Sequence, residues 1–156
     1  MNMEVILIER KEFIVGGFSV ETTLENSERD TEILFHDFYN GKMELLSNFA
    51  KNTKEYYGVM WYTKLHERYR YLVGQEITEK VKDFEIKIIP EGVYAYTKLS
   101  KDCDGIQAWT DFYSEAIPKT GYTPKEIDDI AFEYYPNGLD GDYELWSLVE
   151  KGIETK

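Results

Sequence analysis

The sequence predicts an α+β fold: two pseudo-symmetric strand–helix–strand–strand modules that share a mainly antiparallel sheet and leave a central groove. Two observations lead to this class. Apolar residues make up 42% of the 156 residues, which suits one folded domain with its own core. The same order of strand and helix patterns also occurs twice, over about residues 3–80 and 84–151. We therefore expect residues 1–156 to form a single domain built from two related halves.

The first module begins with an apolar, β-branched strand over residues 12–22. Gly16 and Gly17 in its middle indicate either a β-bulge or the close approach of another group to the backbone. A helical pattern follows over residues 26–41, and Gly41 is a typical stop signal. We therefore expect the chain to pass from its first strand directly into a helix.

Candidate helix caps and two aromatic strands complete this module. Ser27 and Asp30 are the candidate N-caps, because their side-chain oxygens suit the free N–H groups of a first helical turn. Two runs rich in Tyr, Trp and Val then predict strands, Tyr56–Thr63 and Tyr69–Thr78.

The second module repeats this order. Residues 84–99 predict a strand pair or one bent strand, interrupted at Pro90. A helix capped by Asp104 and stopped by Pro118 follows. Two further strands, joined by a Gly/Asn turn, close the module: Ile130–Pro136 and Tyr143–Lys151. The helix carries its apolar residues on one predicted face: Ile106, Trp109, Phe112, Ala116 and Ile117.

Charge and residue inventory exclude several classes of function. With 18 basic and 30 acidic residues the net charge is −12, so we expect no direct DNA binding and no attraction to anionic membranes. The lone Cys103 and the separated His36 and His66 predict no disulfide, no metal site and no serine–histidine triad. We expect no cofactor. Without a signal peptide or a long apolar run, the chain is expected to be cytoplasmic.

The last predicted strand brings a carboxylate close to a tryptophan. Alternation puts Glu144, Trp146 and Leu148 on one face of the sheet. One interpretation is an ion pair between Glu144 and Arg70 of the first half. The other is a carboxylate at the floor of an aromatic pocket, where a cation would gain ~1–2 kcal/mol from each aromatic face.

Aromatic residues are dense, at 15% of the chain, and 13 residues are Tyr. In the strand over residues 56–63, alternation puts Tyr57 and Trp61 on one face and Tyr56 and Tyr62 on the other. One set must pack on a helix, which leaves the other for a cleft or for solvent. The alternative is a core on both faces of the sheet.

Two further aromatic pairs have different expected environments. Tyr94 and Tyr96 share one face of a strand and join the candidate pocket. Trp109 and Phe112 lie on the apolar stripe of the second helix, where core packing is the expected role.

Three segments resemble the GyrI-like effector-binding domains, the ligand-binding half of AraC- and BmrR-type multidrug-responsive regulators. "IIPEGVYAYTKLS" resembles a strand opening of that family. "AWTDFYSEAIPKTGYTPKEIDDIAFEYYP" resembles its helix and the strand that follows, and "YELWSLVEK" resembles its closing strand. The likeness runs from about residue 3 to residue 151. The chain departs from the family pattern at Ala116, where Trp is usual, and at Leu148, where Pro is usual.

The resemblance implies a ligand groove between two pseudo-twofold-related modules. It assigns the family's acidic residue, which recognises cationic lipophilic compounds, to Glu144. The aromatic lining that it implies consists of Tyr57, Trp61, Tyr62, Tyr96 and Trp146. No helix-turn-helix pattern precedes the first strand, so we expect a stand-alone domain that lacks the DNA-binding arm of such regulators.

Two functions remain open from the sequence. The first is a stand-alone receptor for cationic, amphipathic small molecules, with a second protein as a possible partner. The second, implied by the resemblance because some GyrI-like proteins are associated with this activity, is a hydrolase that opens cyclopropane-bearing genotoxins. In that hydrolase Glu144 is the general base on water, and the hydroxyl of Tyr57 or Tyr62 holds or protonates the ligand carbonyl.

Overall fold

The computed structural model describes residues 3–62, 68–125 and 129–152. Within these residues, nine strands form one sheet. The strands are β1 (Ile6–Arg10), β2 (Phe13–Thr22), β3 (Tyr56–Tyr62), β4 (Tyr69–Glu76), β5 (Glu85–Ile89), β6 (Gly92–Leu99), β7 (Tyr122–Pro124), β8 (Ile130–Tyr135) and β9 (Tyr143–Lys151). The helices are α1 (Ser27–Asp37), α2 (Met43–Ser47) and α3 (Gly105–Asp111).

The strands are arranged in the order β1-β6-β9-β8-β3-β4-β2-β5, with β7 beside β9, and the pairing is antiparallel throughout. The two halves meet where β3 pairs with β8, with Gly58 opposite Glu133. Each half contributes a strand, a helix and two strands: β2-α1-β3-β4 and β6-α3-β8-β9. The predicted α+β class is confirmed.

The two main helices end differently. α3 continues as a π-helical turn over Phe112–Ala116, whereas the backbone after α1 leaves the helical conformation at Asn40 and Gly41. Gly41 has a φ of 108°, a left-handed conformation that only glycine adopts without cost. The predicted stop at Gly41 is therefore confirmed, and α2 begins two residues later.

The N-cap predicted from the sequence is confirmed for α3 and is wrong for α1. The N–H of Ile106 donates to Asp104 Oδ1 at 3.0 Å, so Asp104 caps α3 as predicted. In α1 the N-cap is Asn26 rather than Ser27 or Asp30. The carboxylate of Asp30 instead accepts a hydrogen bond from Thr22 Oγ1 at 2.7 Å, which fastens the first turn of the helix to the end of β2.

The predicted interruption at Pro90 is confirmed, since residues 84–99 form two strands on either side of it. The two strands do not pair with each other and lie at different places in the sheet. β5 pairs with β2 at one edge, whereas β6 pairs with β1 and β9 near the other edge. Strands β1 and β7 were not predicted, and the predicted strand end at Thr63 lies outside the described residues.

The glycine pair in β2 marks a close approach of two backbones. The register of β2 with β4 runs without a bulge. A Cβ on Gly17 would lie 2.1 Å from the carbonyl oxygen of Val73, and one on Gly74 would lie 2.0 Å from that of Gly16. The backbones of β2 and β4 therefore approach each other more closely at Gly17 and Gly74 than a side chain at either position would allow.

The sheet has two different faces. α1 and α3 cover one face, which we call the helical face, each above its own core cluster around Phe38 and Phe112. The other face, which we call the concave face, buries Phe13, Tyr57 and Phe132 without a helix above it. Phe13 and Phe132 lie on strands three places apart, roughly 14 Å in a flat sheet. Their ring centroids are 5.9 Å apart, so the sheet curls towards this face.

Candidate ligand-binding groove

A groove of about 430 Å³ opens on the helical face between α1 and α3, and we call it the aromatic groove. Its volume falls within the usual range for small-molecule pockets, ~300–1,000 Å³. Its aromatic lining consists of Trp61, Tyr62, Tyr69, Trp109 and Tyr113, and its aliphatic lining of Leu24, Met60 and Ile106. The groove therefore offers mainly apolar and aromatic surface.

The rim of this groove exposes large apolar side chains to solvent. Leu24 is 83% exposed, Ile106 is 70% exposed and Tyr62 is 60% exposed. Ile106 was predicted to lie on the buried face of its helix, and this is wrong because it faces the groove mouth instead of the sheet. Contiguous exposed apolar surface of this kind is typical of binding sites.

Strand β8 forms a continuous floor beneath the groove and the cavity next to it. Alternate residues of a strand point to the same face. Asp129 and Ala131 line the aromatic groove, and Glu133 and Tyr135 line a neighbouring cavity of about 400 Å³ that also contains Tyr143. We call this second space the polar cavity. The aromatic groove and the polar cavity therefore lie next to each other along β8.

Glu133 is held by neutral hydrogen-bond donors. Its Oε1 accepts from the hydroxyl of Tyr71 at 2.6 Å and from that of Tyr135 at 3.0 Å. Its Oε2 accepts from the indole N–H of Trp109 at 3.2 Å. In the part of the chain that the structure describes, no lysine, arginine or histidine pairs with it. A half-buried carboxylate is thus stabilised without a counter-cation.

Trp109 connects the two spaces. Its ring lines the aromatic groove and stacks on Tyr113 at 5.5 Å, while its N–H reaches the carboxylate that lines the polar cavity. Trp109 packs against the core cluster around Phe112, as expected, and in addition borders the groove. Phe112 is fully buried, as predicted.

Gly58 provides the space for this arrangement. It lies directly opposite Glu133 in the pairing of β3 with β8. A Cβ at Gly58 would lie 2.1 Å from the Tyr71 hydroxyl oxygen and 2.8 Å from Glu133 Oε1. The Tyr71 hydroxyl therefore reaches the carboxylate only because residue 58 has no side chain.

The tyrosines around Glu133 stay protonated over the physiological range. Burial, and then the charge of Glu133, raises the pKa of Tyr71 well above its usual value. The same two causes raise the pKa of Tyr135. Both groups therefore act as O–H donors. Burial also raises the pKa of Asp129, the second carboxyl group on the floor.

The structure divides the predicted site residues between the two faces. The side chain of Tyr62 lines the aromatic groove. Trp61 borders the groove, but its ring packs against the concave-face cluster, as Tyr57 does. Tyr57, Tyr96 and Trp146 pack on the concave face, where the Tyr96 and Trp146 rings stack at 4.3 Å. Glu144 belongs to that face as well, because it is two residues from Trp146 on β9. These residues do form an aromatic cluster, but most of it lies opposite the groove.

Glu144 has local partners on its own face. Its Oε1 accepts from the indole N–H of Trp146 at 2.9 Å. The alternative of an ion pair with Arg70 is wrong, because Arg70 donates to Ser19 and lies 4.0 Å from Glu85. The hydroxyl of Tyr57 accepts from Arg10, and Tyr62 lies at the groove. No contact of the described residues therefore joins Glu144 to either tyrosine of the hydrolase hypothesis.

Sequence reasoning missed Glu133 as a site residue although it stands inside the motif "FEYY". Alternation separates Glu133 and Tyr135 from Phe132 and Tyr134, but it does not tell which set faces the helices. The glycine of "YYGVMWY" was the available signal, since a glycine inside a strand often marks a close approach.

Two absences concern the described residues only. Over residues 3–62, 68–125 and 129–152, no group of three or more His, Cys, Asp or Glu side chains is arranged to hold a metal ion. His66 lies outside these ranges. Within the same ranges, no helix has the length and apolar character needed to cross a membrane.

Comparison with known proteins identifies the family. The profile of Cass2, described as integron-associated effector binding protein, matches residues 7–147. The chain belongs to this effector-binding family. The predicted resemblance to GyrI-like domains is also confirmed: the chain is 30% identical over 80 residues to a DNA gyrase inhibitor of Serratia proteamaculans. That match covers 48% of this chain and 50% of the relative, so the two share about half of the relative's length.

Solved structures of this fold cover nearly all of the chain. The structure of SAV2435 bound to tetraphenylphosphonium has a TM-score of 0.77 at 14% identity and covers 95% of this chain and 94% of that one. The Vibrio cholerae integron cassette protein VCH_CASS2 has a TM-score of 0.64 at 17% identity and covers 94% and 95%. At these identities the two structures support the fold.

Proposed function

We propose that this effector-binding domain takes up a cationic, aromatic small molecule in the aromatic groove, with Glu133 as the counter-charge. The observation that carries the proposal is the Glu133 carboxylate, which has three neutral donors and no cationic partner among the described residues. A carboxylate in such a setting attracts a cation more strongly than one in water, because the local dielectric constant is lower. We therefore assign the role of counter-charge to Glu133 and not to Glu144, which lies on the concave face.

The aromatic walls add affinity of a second kind. Trp109 and Tyr113 are stacked with their rings 5.5 Å apart and 20° from parallel, so one broad aromatic surface borders the groove. A cation against such a face gains ~0.5–2 kcal/mol. The exposed apolar rim suits the hydrocarbon part of an amphipathic ligand, and the net charge of −12 favours the approach of cations.

Access to Glu133 from the aromatic groove depends on Trp109. Its N–H⋯O contact of 3.2 Å is at the long end for a hydrogen bond, and its ring lines the groove while Glu133 lines the polar cavity. A ligand cation that approaches Glu133 Oε2 replaces this N–H. The two tyrosine hydroxyls remain on Oε1, so the carboxylate keeps its orientation during the exchange.

The ligand of one similar structure has a matching chemistry. Tetraphenylphosphonium, the ligand of the SAV2435 structure, is a lipophilic cation whose four phenyl rings leave no hydrogen-bond donor. Such a molecule is recognised by charge and by aromatic contact alone. These are the two features that Glu133 and the groove walls supply.

Tryptophan fluorescence titration with tetraphenylphosphonium tests the proposal. We expect saturable quenching for the wild type and an affinity at least about tenfold lower for Glu133→Gln, a loss of about 1.4 kcal/mol or more. Gln keeps the shape and still accepts hydrogen bonds, so the change isolates the charge. The matched control is Glu144→Gln, a carboxylate of the opposite face, for which we expect the affinity of the wild type.

A second ligand separates charge from shape. Tetraphenylborate has nearly the same shape as tetraphenylphosphonium and the opposite charge, so we expect it not to compete. Equal affinities for the two ions, or a loss in Glu144→Gln instead of Glu133→Gln, contradict the proposal. The hydrolytic alternative with Glu144 as general base stays a prediction, and so do a protein partner and a cytoplasmic location.

A further inference from the structure

A second cavity of about 320 Å³ opens on the concave face, on the opposite side of the sheet from the aromatic groove. Its walls include Tyr57 and Tyr134, whose ring centroids are 5.1 Å apart. Around them lie charged side chains of both signs: Arg10, Lys51, Glu55 and Glu76. None of these residues lines the groove assigned above.

The guanidinium group of Arg10 is held by its neighbours and still has N–H groups that can donate to a ligand. It lies 3.9 Å above the ring centroid of Phe13 and 5.2 Å from that of Trp146. Its Nη2 donates to the hydroxyl of Tyr57 at 3.1 Å. Within the described residues, no carboxylate lies within ion-pair distance of Arg10. A planar guanidinium held flat on an aromatic ring is suited to bind a carboxylate through parallel N–H⋯O bonds.

The acidic groups lie within electrostatic reach of the same hydroxyl. Burial raises the pKa of Tyr57 to about 12, Arg10 opposes this rise, and the charges of Glu76 and Glu55 add to it. Glu76 is paired with Lys51 at 3.5 Å, and Glu55 accepts a hydrogen bond from the Tyr134 hydroxyl. The carboxylate of Glu55 therefore has a neutral partner, just as Arg10 does.

The charges restrict the kind of ligand. Because Lys51 pairs with Glu76, the charges left for a ligand are those of Arg10 and Glu55. A simple anion would be attracted by Arg10 and repelled by Glu55, and a simple cation would meet the reverse. A molecule whose two charged groups are bonded to the same carbon atom satisfies both. The volume sits near the lower end for ligand pockets, ~300–1,000 Å³, and so favours a small molecule.

We propose that this cavity binds a small zwitterion, a free α-amino acid with an aromatic side chain. Its carboxylate lies on Arg10, its ammonium group points to Glu55, and its ring lies against Tyr134. The site is independent of the aromatic groove and does not rest on the function proposed for it.

Calorimetric titration with L-phenylalanine and two matched analogues tests the assignment. Phenethylamine lacks the carboxylate and 3-phenylpropionate lacks the ammonium group. We expect saturable binding of L-phenylalanine to the wild type and affinities at least about tenfold lower for each analogue. The proposal is overturned if L-phenylalanine does not bind up to its solubility limit, or if either analogue binds as tightly.

Variants assign the two ends of the ligand. Arg10→Lys keeps the positive charge but loses the planar fork, and Glu55→Gln removes one negative charge while it keeps an acceptor for Tyr134. We expect each to lower the affinity for L-phenylalanine at least about tenfold. Glu55 lies away from the core stack, so its variant stays informative if Arg10→Lys folds poorly. Glu150→Gln, at an exposed carboxylate of β9 that lines neither site, is the control and should bind like the wild type. Loss of binding in Glu150→Gln, or wild-type affinity in Glu55→Gln, contradicts this site.

Discussion

The two faces of the sheet each hold a charged group among aromatic side chains, and they stabilise it with different parts of those side chains. On the helical face, Glu133 accepts hydrogen bonds from the hydroxyl of Tyr71 and the indole N–H of Trp109. On the concave face, the guanidinium of Arg10 lies over the ring of Phe13. An aromatic residue offers polar hydrogens at its edge and negative potential on its face. Aromatic content alone therefore does not tell which charge a site prefers, and ring orientation decides it.

The faces also differ in how much of their aromatic surface is accessible. On the concave face Tyr57 is 2% exposed and Trp146 is 7% exposed, so these rings belong to a closed core. On the helical face Tyr62 is 60% exposed at the groove rim. The separation between α1 and α3 leaves this surface open, whereas curling of the sheet buries most of the aromatic surface on the other face and leaves the smaller cavity beside Arg10. The larger ligand site is thus expected on the helical face.

Of the changes that test this comparison, Gly58→Ala is expected to have the largest effect on the free energy of unfolding. The added Cβ would meet the buried hydroxyl of Tyr71 at 2.1 Å and Glu133 Oε1 at 2.8 Å. The ring of Tyr71 is enclosed and cannot move aside without breaking its bond to Glu133, so we expect a loss of about 2–3 kcal/mol in the free energy of unfolding. Urea denaturation measures this loss.

Gly92→Ala on the concave face is the matched control for that change. Its Cβ would meet only the end of the Leu148 side chain, at 2.8 Å. A terminal methyl group can rotate, so we expect a cost below about 1 kcal/mol. Equal losses in the two variants would mean that the Tyr71–Glu133 contact does not constrain residue 58.

A smaller effect is expected from Tyr57→Phe at alkaline pH. Tyr57 has its pKa raised to about 12, from an ordinary value near 10, chiefly because it is buried. Between these values the unfolded chain has lost a proton that the folded protein keeps, so the stability is complete below pH ~10 and falls as the pH rises towards ~12. One such group contributes a slope of about 1.4 kcal/mol per pH unit.

We expect Tyr57→Phe to remove one such proton from the pH dependence of unfolding. Denaturant titrations at several pH values between ~10 and ~12 measure the slope for wild type and variant. Below this window the difference between the two proteins should be constant, which serves as an internal control. Identical slopes in both proteins would show that Tyr57 ionises as easily in the folded state as in the unfolded chain.

The smallest effect is expected from Glu144→Gln. The glutamine side chain still accepts the indole N–H of Trp146, and the charge it removes has no ion pair among the described residues. We expect the free energy of unfolding to change by less than about 0.5 kcal/mol. A severe loss in thermal or urea denaturation would indicate a buried partner for Glu144 and would reopen its role in the site.

The sequence allowed the local elements to be predicted well. The alternation in β9, the cap at Asp104 and the left-handed stop at Gly41 depend on neighbouring residues only, and all three appear in the structure. The order of the two modules follows from these elements. Strand β7, with three residues, was too short to give a periodic signal.

Only the tertiary structure decided which residues share a site. Glu133 and Glu144 look alike in the sequence, each on a strand that alternates. The register of β8 with β9 pairs Glu133 with Leu145 and Tyr134 with Glu144, so the two carboxylates lie on opposite faces. A shift of one residue would exchange them. The helices α1 and α3 lie above only one of these faces because of packing between distant segments, and Glu133 is the carboxylate on that face, next to the aromatic groove.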